Sequence, residues 1–548
     1  MAGGDLHLQE SASDGAEYRI LTGNPTKTFF KTKYSKYTNF GLQKFRIDQE
    51  GQKNLTYQYE SNIQFKMPRY ADLLMDTYLI IKLPNIWSPI YCYDNSNNIP
   101  CEFQWIKNIG SQIIKEVTFT IGGTTIQKFS GTYLQNMVER DFDSKKKELY
   151  DIMIGNVKEL YDPANYSDRV NDYPHAYKIN DSSNNSIEPS IRSYNLYIPI
   201  HSWFTLLPSM ALPLISLPNS QLMINFRLRP FSELYTIKRV DINDNNKIIR
   251  GKGLTNFPSQ QIHRFIQQPP MSTINVKSDG NIDILIDDNG YYRNNNVYTD
   301  IHLVATQCFL ENEEKSLFLE NKQEYLIKKV YEYEFTNISK SCKLNLESNG
   351  LVSNWMWFVQ RDDVGKRNEW SNYTNWPFEN IIPYTLIPHT ISGENFKITG
   401  DVPTQYQQTF QKELIKDFAI IADGTYRENS FPGEVYSRLE KYARTNGNSK
   451  EGLYHYNFSL ATDNTKYQPS GAFNTNRFKN IEFEVNLYEN PPFEKSVLMN
   501  DVCAPSSGDI IAETPNQSIY KYNYNLFVME ERYNILQIQY GSAYLLYN

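Results

Sequence analysis

With 548 residues the chain is longer than one hydrophobic core organises, so about two to four domains of ~100–250 residues are expected. Its 41 Tyr and 29 Phe supply ample core material that favours strands. The net charge of −7 excludes a general nucleic-acid binder, because such a protein needs a basic excess to displace counterions.

Residues 1–24 read as an N-terminal arm, small and polar at first. MAGGDLHLQE has neither the basic nor the apolar region of a secretory signal, and Ala2 in place of Gly breaks the myristoylation pattern. From Tyr18 to Phe40, Lys27, Lys31, Lys33 and Lys36 interleave with Phe29, Phe30, Tyr34, Tyr37 and Phe40. Such a mixture suits an anionic membrane face or nucleic acid. The plainer reading, weighted above it, is an edge strand whose lysines discourage aggregation.

Strands are expected at Leu55–Phe65 and at Asp76–Leu83, where Leu79, Ile81 and Leu83 share a face. The stretch from Ile113 alternates through Val117, Phe119 and Ile121, turns on Gly122-Gly123 and returns, which reads as a hairpin. Thr132–Ile154 changes to helical spacing, and Lys145–Lys147 within it reads as a solvated face. Asp162–Ile191 is a polar loop.

The stretch Tyr194–Leu228 is the most informative. Leu196, Ile198 and Ile200 alternate at its start, and Leu222, Ile224, Phe226 and Leu228 at its end. Ser202–Leu222 between them carries no charge, yet Pro208, Pro213 and Pro218 would break a membrane-spanning helix three times. Two strands of one sandwich, joined by a buried proline-stiffened crossing, are expected.

An insertion runs from Pro230 to about Thr299, with Ile282, Ile284 and Ile286 alternating inside it. Ile301–Phe309 then leads into LENEEKSLFL, much as Tyr522–Met529 leads into EERYNIL. Each reads as the closing strand of a sandwich, with Glu314-Lys315 and Glu531-Arg532 marking the exit to solvent. Between them, Tyr325–Phe335, Leu351–Gln360, Tyr454–Leu460 and Ile481–Leu487 are strand-like, and Gln405–Asp423 is read as holding a short helix before the Asp423-Gly424 turn.

No catalytic constellation emerges. The seven histidines never fall within five residues of one another, so HExxH and related metal spacings are absent, and no GxSxG elbow occurs. Asp287-Asp288 and Asp362-Asp363 are turn chemistry. The cysteines are odd in number and have no CxxC spacing; Cys92 and Cys101 could close a loop, but an unsecreted chain keeps thiols reduced. Catalytic, cofactor and metal sites are therefore all read as none. Asn54, Asn165, Asn180, Asn372 and Asn457 lie in glycosylation sequons and mark surface positions at best.

Several of these stretches carry a resemblance. Met1–Gly4, Leu21–Pro25 (LTGNP), Thr28–Lys31 (TFFK), Tyr34 and Thr38–Phe40 (TNF) resemble the N-terminal signature of the major capsid proteins of nucleocytoplasmic large DNA viruses. Ala211–Leu217, Gln468–Gly471 (QPSG) and Tyr533–Gln537 (YNILQ) resemble the same family, in its order and from end to end. The resemblance implies an all-β fold of two consecutive eight-stranded jelly rolls, a double jelly roll with long loop insertions and a few short helices.

The first roll would span 25–311, with insertions at about 132–191 and 230–299, and the second 323–548. The implied function is a structural major capsid protein of an icosahedral virion, its homotrimers forming pseudo-hexameric capsomers that assemble in the cytoplasm of the infected host cell. Implied partners are copies of itself, minor capsid proteins and an internal membrane, without sequence-specific nucleic acid. Lys27, Phe29, Phe30, Lys31, Lys33 and Lys36 would then be inner-face contacts, although DLHLQESASDGAEY after Gly4 departs from the family pattern. A carbohydrate-binding or glycan-processing sandwich protein is the alternative, since jelly rolls also serve lectins. A minor capsid or scaffold protein of the same fold is a third reading.

Overall fold

The computed structural model describes residues 20, 23–51, 54–88, 90–92, 99–170, 172–174, 176–180, 184–239, 249–251, 262–268, 274–276, 282–284, 296–376, 378–379, 390–391, 394–395, 412–448, 450–462, 468–488 and 522–547. The chain divides into Met1–Phe40 and Gly41–Asn548.

Eight strands build a first sandwich: β1 (Phe40–Asp48), β2 (Ser61–Lys66), β3 (Leu73–Leu83), β4 (Ile114–Ile121), β5 (Thr124–Phe129), β6 (Tyr194–Pro199), β7 (Leu222–Leu228) and β8 (Ile301–Leu310). One sheet has the order β1-β8-β3-β6 and the other β2-β7-β4-β5. Eight more build a second: β9 (Gln323–Ile338), β10 (Cys342–Asn345), β11 (Leu351–Arg361), β12 (Ile415–Ala422), β13 (Thr425–Pro432), β14 (Leu453–Asn457), β15 (Ile481–Leu487) and β16 (Tyr524–Gln539). Its sheets run β9-β16-β11-β14 and β10-β15-β12-β13. Numbered within its own sandwich, each set reads 1-8-3-6 and 2-7-4-5, so one jelly-roll topology is drawn twice.

Local chemistry explains the strands. On β7 and β15 every second side chain is buried, as period-two alternation requires of a sheet with one face on a core. The 4–5 hairpins turn on Gly122-Gly123 and Asp423-Gly424, all four with positive φ, the backbone a two-residue turn needs to match strand twist. The crossing after β6 holds a short helix, Trp203–Leu206, and a two-residue strand, Leu212–Pro213, that pairs with β3, so it carries the chain from one sheet to the other as expected.

Other segments depart from the sequence reading. Leu55–Phe65 is two strands, Asn54–Thr56 and β2, split by a turn. The helical stretch breaks into α1 (Gly131–Asp141) and α2 (Ser144–Met153), because Ser130 and Asp143 each accept a bond from a first-turn N–H and so start separate helices. Asp162–Ile191 includes the paired strands Tyr177–Asn180 and Asn184–Ile187. Ile282–Ile284 pairs with Ile274–Val276, while Ile286 lies outside the described residues. The helix expected within Gln405–Asp423 is strand β12 where the chain is described, its Phe418 and Ile420 buried in the core; 405–411 lie outside the described residues. Lys27–Lys36 is irregular chain, not an edge strand.

β11 is buried along nearly its whole length because both its faces are covered. Trp355, Trp357 and Val359 point into the second sandwich, where Trp357 stacks on Phe418 at 4.2 Å. Met356 and Phe358, on the opposite face, belong to the core that continues into the first sandwich.

Candidate functional site: a buried seam and an exposed N-terminal segment

The two sandwiches meet along a seam. From the first come β5 and α1, and from the second the sheet face of β9, β16 and β11. Gln127 donates to the Lys328 carbonyl at 3.1 Å, and the Ser130 hydroxyl to Glu332 at 2.6 Å. Helix α1 lies across the second sheet, with Tyr133, Met137, Val138 and Arg140 all buried.

At its centre is a charged cluster. Arg140 bonds Glu531 at 2.8 Å, Asn354 Oδ1 at 2.8 Å and its neighbour Asp141 at 2.7 Å. Glu531 also accepts from the Tyr133 hydroxyl and from Asn354 Nδ2, each at 2.9 Å, and faces Lys328 at 3.5 Å. Burial alone would raise the Glu531 carboxyl, but Arg140, Lys328 and the Asn354 amide hold it down at about 2. Burial opposes the charge of Arg140, and Asp141 with Glu531 outweighs it. Two cations and two anions therefore sit together with their charges balanced. Such a cluster fixes register more than it adds stability, because desolvation consumes much of the attraction.

This corrects one sequence expectation. Glu531-Arg532 does not mark an exit to solvent: β16 runs straight through it, with Glu530 and Glu531 fully buried. Glu530 takes the Trp355 indole N–H at 2.6 Å inside the second sandwich, while Glu531 points to the seam. The available signal was a glutamate pair inside an apolar run from Leu526 to Ile538. Glu314-Lys315, its supposed counterpart, sits on α3 (Asn312–Glu320), a helix with no buried residue.

Backbones also meet closely at the seam. The Gly447 N–H donates to the Arg140 carbonyl at 2.8 Å, and a Cβ at Gly447 would lie 2.4 Å from the carbonyl oxygens of Glu139 and Arg140. Trp370 donates to the Glu233 carbonyl and receives the Arg229 guanidinium over its ring at 4.3 Å.

Within Met1–Phe40, Phe29 and Phe30 are 87% and 98% exposed, and Lys27 lies over the Phe29 ring at 5.0 Å. Lys27, Lys31, Lys33 and Lys36 are exposed as well. Of the sequon residues, Asn165 is exposed and Asn54 half-buried. The Asn180 side chain lies outside the described residues. Asn372 and Asn457 are buried, their side-chain oxygens taken by Thr374 and Ser459, so neither presents a surface amide in the folded chain. Cys92 and Cys101 stand on adjacent paired strands, with side chains outside the described residues. Among the described residues no group of three or more His, Cys, Asp or Glu could hold a metal, and no helix is long and apolar enough to cross a membrane.

Tandem jelly rolls joined by a buried face define a double jelly-roll protein, the architecture of solved viral coat proteins. Chlorella virus PBCV-1 VP54, as fitted into a reconstruction of the virophage Sputnik, matches with a TM-score of 0.60 at 17% identity, over 95% of this chain and 100% of that one. The Faustovirus major capsid protein matches at 0.57 and 12% identity, over 98% and 96%. Residues 28–267 match the family described as major capsid protein N-terminus, and 314–544 the large eukaryotic DNA virus major capsid protein. Probable capsid protein 4 of Acanthamoeba polyphaga mimivirus is 24% identical over 89% of this chain and 93% of its own. The major capsid protein of Paramecium bursaria Chlorella virus 1 is 22% identical over the full length of both. The chain belongs to the major capsid proteins of the nucleocytoplasmic large DNA viruses, and its function is structural, in the shell of the virion.

Proposed function

We propose that three copies close into a ring of six sandwiches, a pseudo-hexameric capsomer, by repeating between chains the seam formed within each chain. The observation that carries this is an asymmetry between equivalent elements. In the first sandwich, β5 and the helix after it are buried against the second. Their counterparts, β13 and the helical segment Val435–Arg444, leave Tyr426, Phe431, Leu439 and Tyr442 exposed at 51%, 38%, 62% and 93%. The sheet that would receive them is β1-β8-β3-β6, the equivalent of β9-β16-β11-β14. Its β1 is exposed along most of its length and presents Leu42. Each chain thus holds one satisfied seam and the two halves of another, a head-to-tail contact that closes under three-fold symmetry.

Sizing with light scattering and electron microscopy test this: about 192 kDa, three chains of 64.1 kDa, in hexagonal particles is expected. A monomer at assembly concentrations would overturn it.

The remaining assignments belong to the same proposal. The division falls at 311–323, supported by strand pairing that stays within each side of it. The protein acts by assembly and not by catalysis, on capsids put together in the host cytoplasm. Lys27, Phe29, Phe30, Lys31, Lys33 and Lys36 face inward, toward minor capsid proteins or an internal membrane; particles that assemble normally with all four lysines changed to Ser would remove that role. Asn54, Asn165 and Asn180 remain the candidate glycan acceptors, readable by intact-mass analysis of virion protein.

A further inference from the structure

The two sandwiches can be matched residue by residue. Strands β3 and β11 hold the same place in their sheets, and each carries one extra residue against its neighbour. Met75 is skipped between the pairs Asp76–Thr306 and Leu74–Gln307, and Ser353 between Asn354–Glu531 and Val352–Arg532. Beside that bulge a two-residue strand pairs in both: Leu212–Pro213 on Leu74 and Leu73, and Phe473–Asn474 on Val352 and Leu351. A bulge re-aims side chains and is a fixed feature of a fold, so it aligns the two sheets. Asp76 therefore stands where Asn354 stands, and Tyr78 where Met356 does.

The helices match as well. A Cβ at Gly131 would lie 2.5 Å from the Ile114 carbonyl oxygen, and one at Gly433 2.7 Å from that of Ile415. Both helices thus begin with a glycine packed on the first residue of the strand two elements before. Counted from those glycines, Asn136, Met137 and Arg140 correspond to Arg438, Leu439 and Tyr442. The first three are buried, Asn136 against Met529 and Arg140 against Glu531. The second three are exposed, although a π turn at Val435–Leu439 widens the start of their helix. Tyr442 is the outward-pointing counterpart of Arg140.

Within the chain, Arg140 donates to Asn354 Oδ1 at 2.8 Å. At the matching place on the first sheet, Asp76 is half-buried, and among the described residues its carboxylate has no hydrogen bond or ion pair. Next to it on the same face are Tyr78, Ile80 and Val304, which belong to neither core. A sheet face meant for water alternates to polar side chains, so an apolar strip ending in an unpartnered carboxylate calls for a partner with an apolar body and a donor tip. The charged set of the first seam is not repeated, because Thr306 takes the place of Glu531. A neutral donor suits a lone carboxylate there.

Resting on the three-fold reading above, we infer that Tyr442 of one chain seats on the β3 face of the next, its ring beside Tyr78 and its hydroxyl donating to the Asp76 carboxylate. One phenol–carboxylate bond per seam then selects the first sandwich of a second copy, where the seam within the chain uses a buried cluster of charges.

The test uses the full chain with Tyr442→p-benzoylphenylalanine, irradiated after assembly and digested for mass spectrometry. Adducts that join two chains and map to Leu73–Leu83 are expected. In the unlabelled chain, Tyr442→Phe should raise the concentration at which light scattering shows the trimer dissociating by about tenfold or more, the effect of losing a hydrogen bond to a charged group. Asp76→Ala should do the same, and combining the two should add little beyond either alone. Neither side chain is bonded within the chain, so the unfolding midpoint of the dissociated chain should not move. A trimer whose adducts map away from β3, or in which the two substitutions add in full, would overturn this contact and leave three-fold assembly standing. A chain that stays monomeric at assembly concentrations would overturn both.

Discussion

Arg140→Met tests the seam most directly. The guanidinium bonds Glu531, Asp141 and Asn354 in a place where its side chain is 0% exposed. Removing it leaves Glu531 and Asp141 with Lys328 as their remaining cation in the cluster, so a balanced set becomes net negative in a desolvated site. Breaking one partner of a buried pair costs about 3–5 kcal/mol. With a denaturant slope of ~3 kcal/mol per molar or somewhat steeper, the urea midpoint should fall by roughly 1–1.5 M. Glu531→Leu, which leaves the set net positive, should cost a similar amount. The double variant Arg140→Met/Glu531→Leu restores balance, with Lys328 against Asp141, and should fall short of the summed single effects by about 2 kcal/mol or more. Urea unfolding followed by tryptophan fluorescence reads all three. Arg46→Met is the control: its bond to Asp300 is 2.8 Å long, but the side chains are 53% and 47% exposed, and surface pairs contribute about 0–1 kcal/mol. Strict additivity, or an Arg140 effect no larger than the control, would refute the reasoning.

Other outcomes follow from the same geometry. Gly447→Ala places a methyl against two carbonyl oxygens of α1 and should destabilise the folded chain by several kcal/mol, whereas Gly123→Ala, whose added methyl meets open space, should cost only about 1–2 kcal/mol from its positive φ; parallel urea titrations compare them. Leu439→Glu with Tyr442→Glu should shift the light-scattering mass from trimer to monomer without changing the circular dichroism of the chain. His201 and His455 are held neutral by burial, His201 down to about 4 and His455 well below its usual value. Their stabilisation is complete above pH 6.5 and is lost as pH falls toward the folded-state values, because the unfolded chain takes up the protons first. Unfolding midpoints should therefore decline from pH 6.5 to 4.5, and His455→Gln should flatten that decline.

Much of this fold was legible in the sequence, for a physical reason. Where a sheet has one buried face, alternation is strict, and β4, β7 and β15 could be read residue by residue. Gly122-Gly123 announced the first 4–5 hairpin, while Asp423-Gly424 announced only a turn, because the segment before it read as a helix. Legibility failed where alternation fails. β11 and β16 are covered on both faces, so Glu530 and Glu531 looked like a strand end while being its middle. Phe418–Ala422 is an unbroken apolar run on β12, for which periodicity cannot separate a strand from a buried helix. The seam was invisible for the same reason: its partners, Arg140, Lys328, Asn354 and Glu531, are polar residues spread over four elements, and only the fold brings them together. The N-terminal segment was read correctly as basic and aromatic, but its irregular backbone carries no period to detect.

The placement of β16 bears on how the chain is made. It lies between β9 and β11 in its sheet, and β8 lies between β1 and β3 in the other sandwich. On a ribosome, each sheet must wait as two separated halves until its central piece is synthesised. For the second sandwich, that wait also leaves α1 without the surface that covers it. A nascent chain of this kind exposes unpaired strand edges and apolar sheet faces until that piece arrives, the condition in which partly made chains are prone to aggregate.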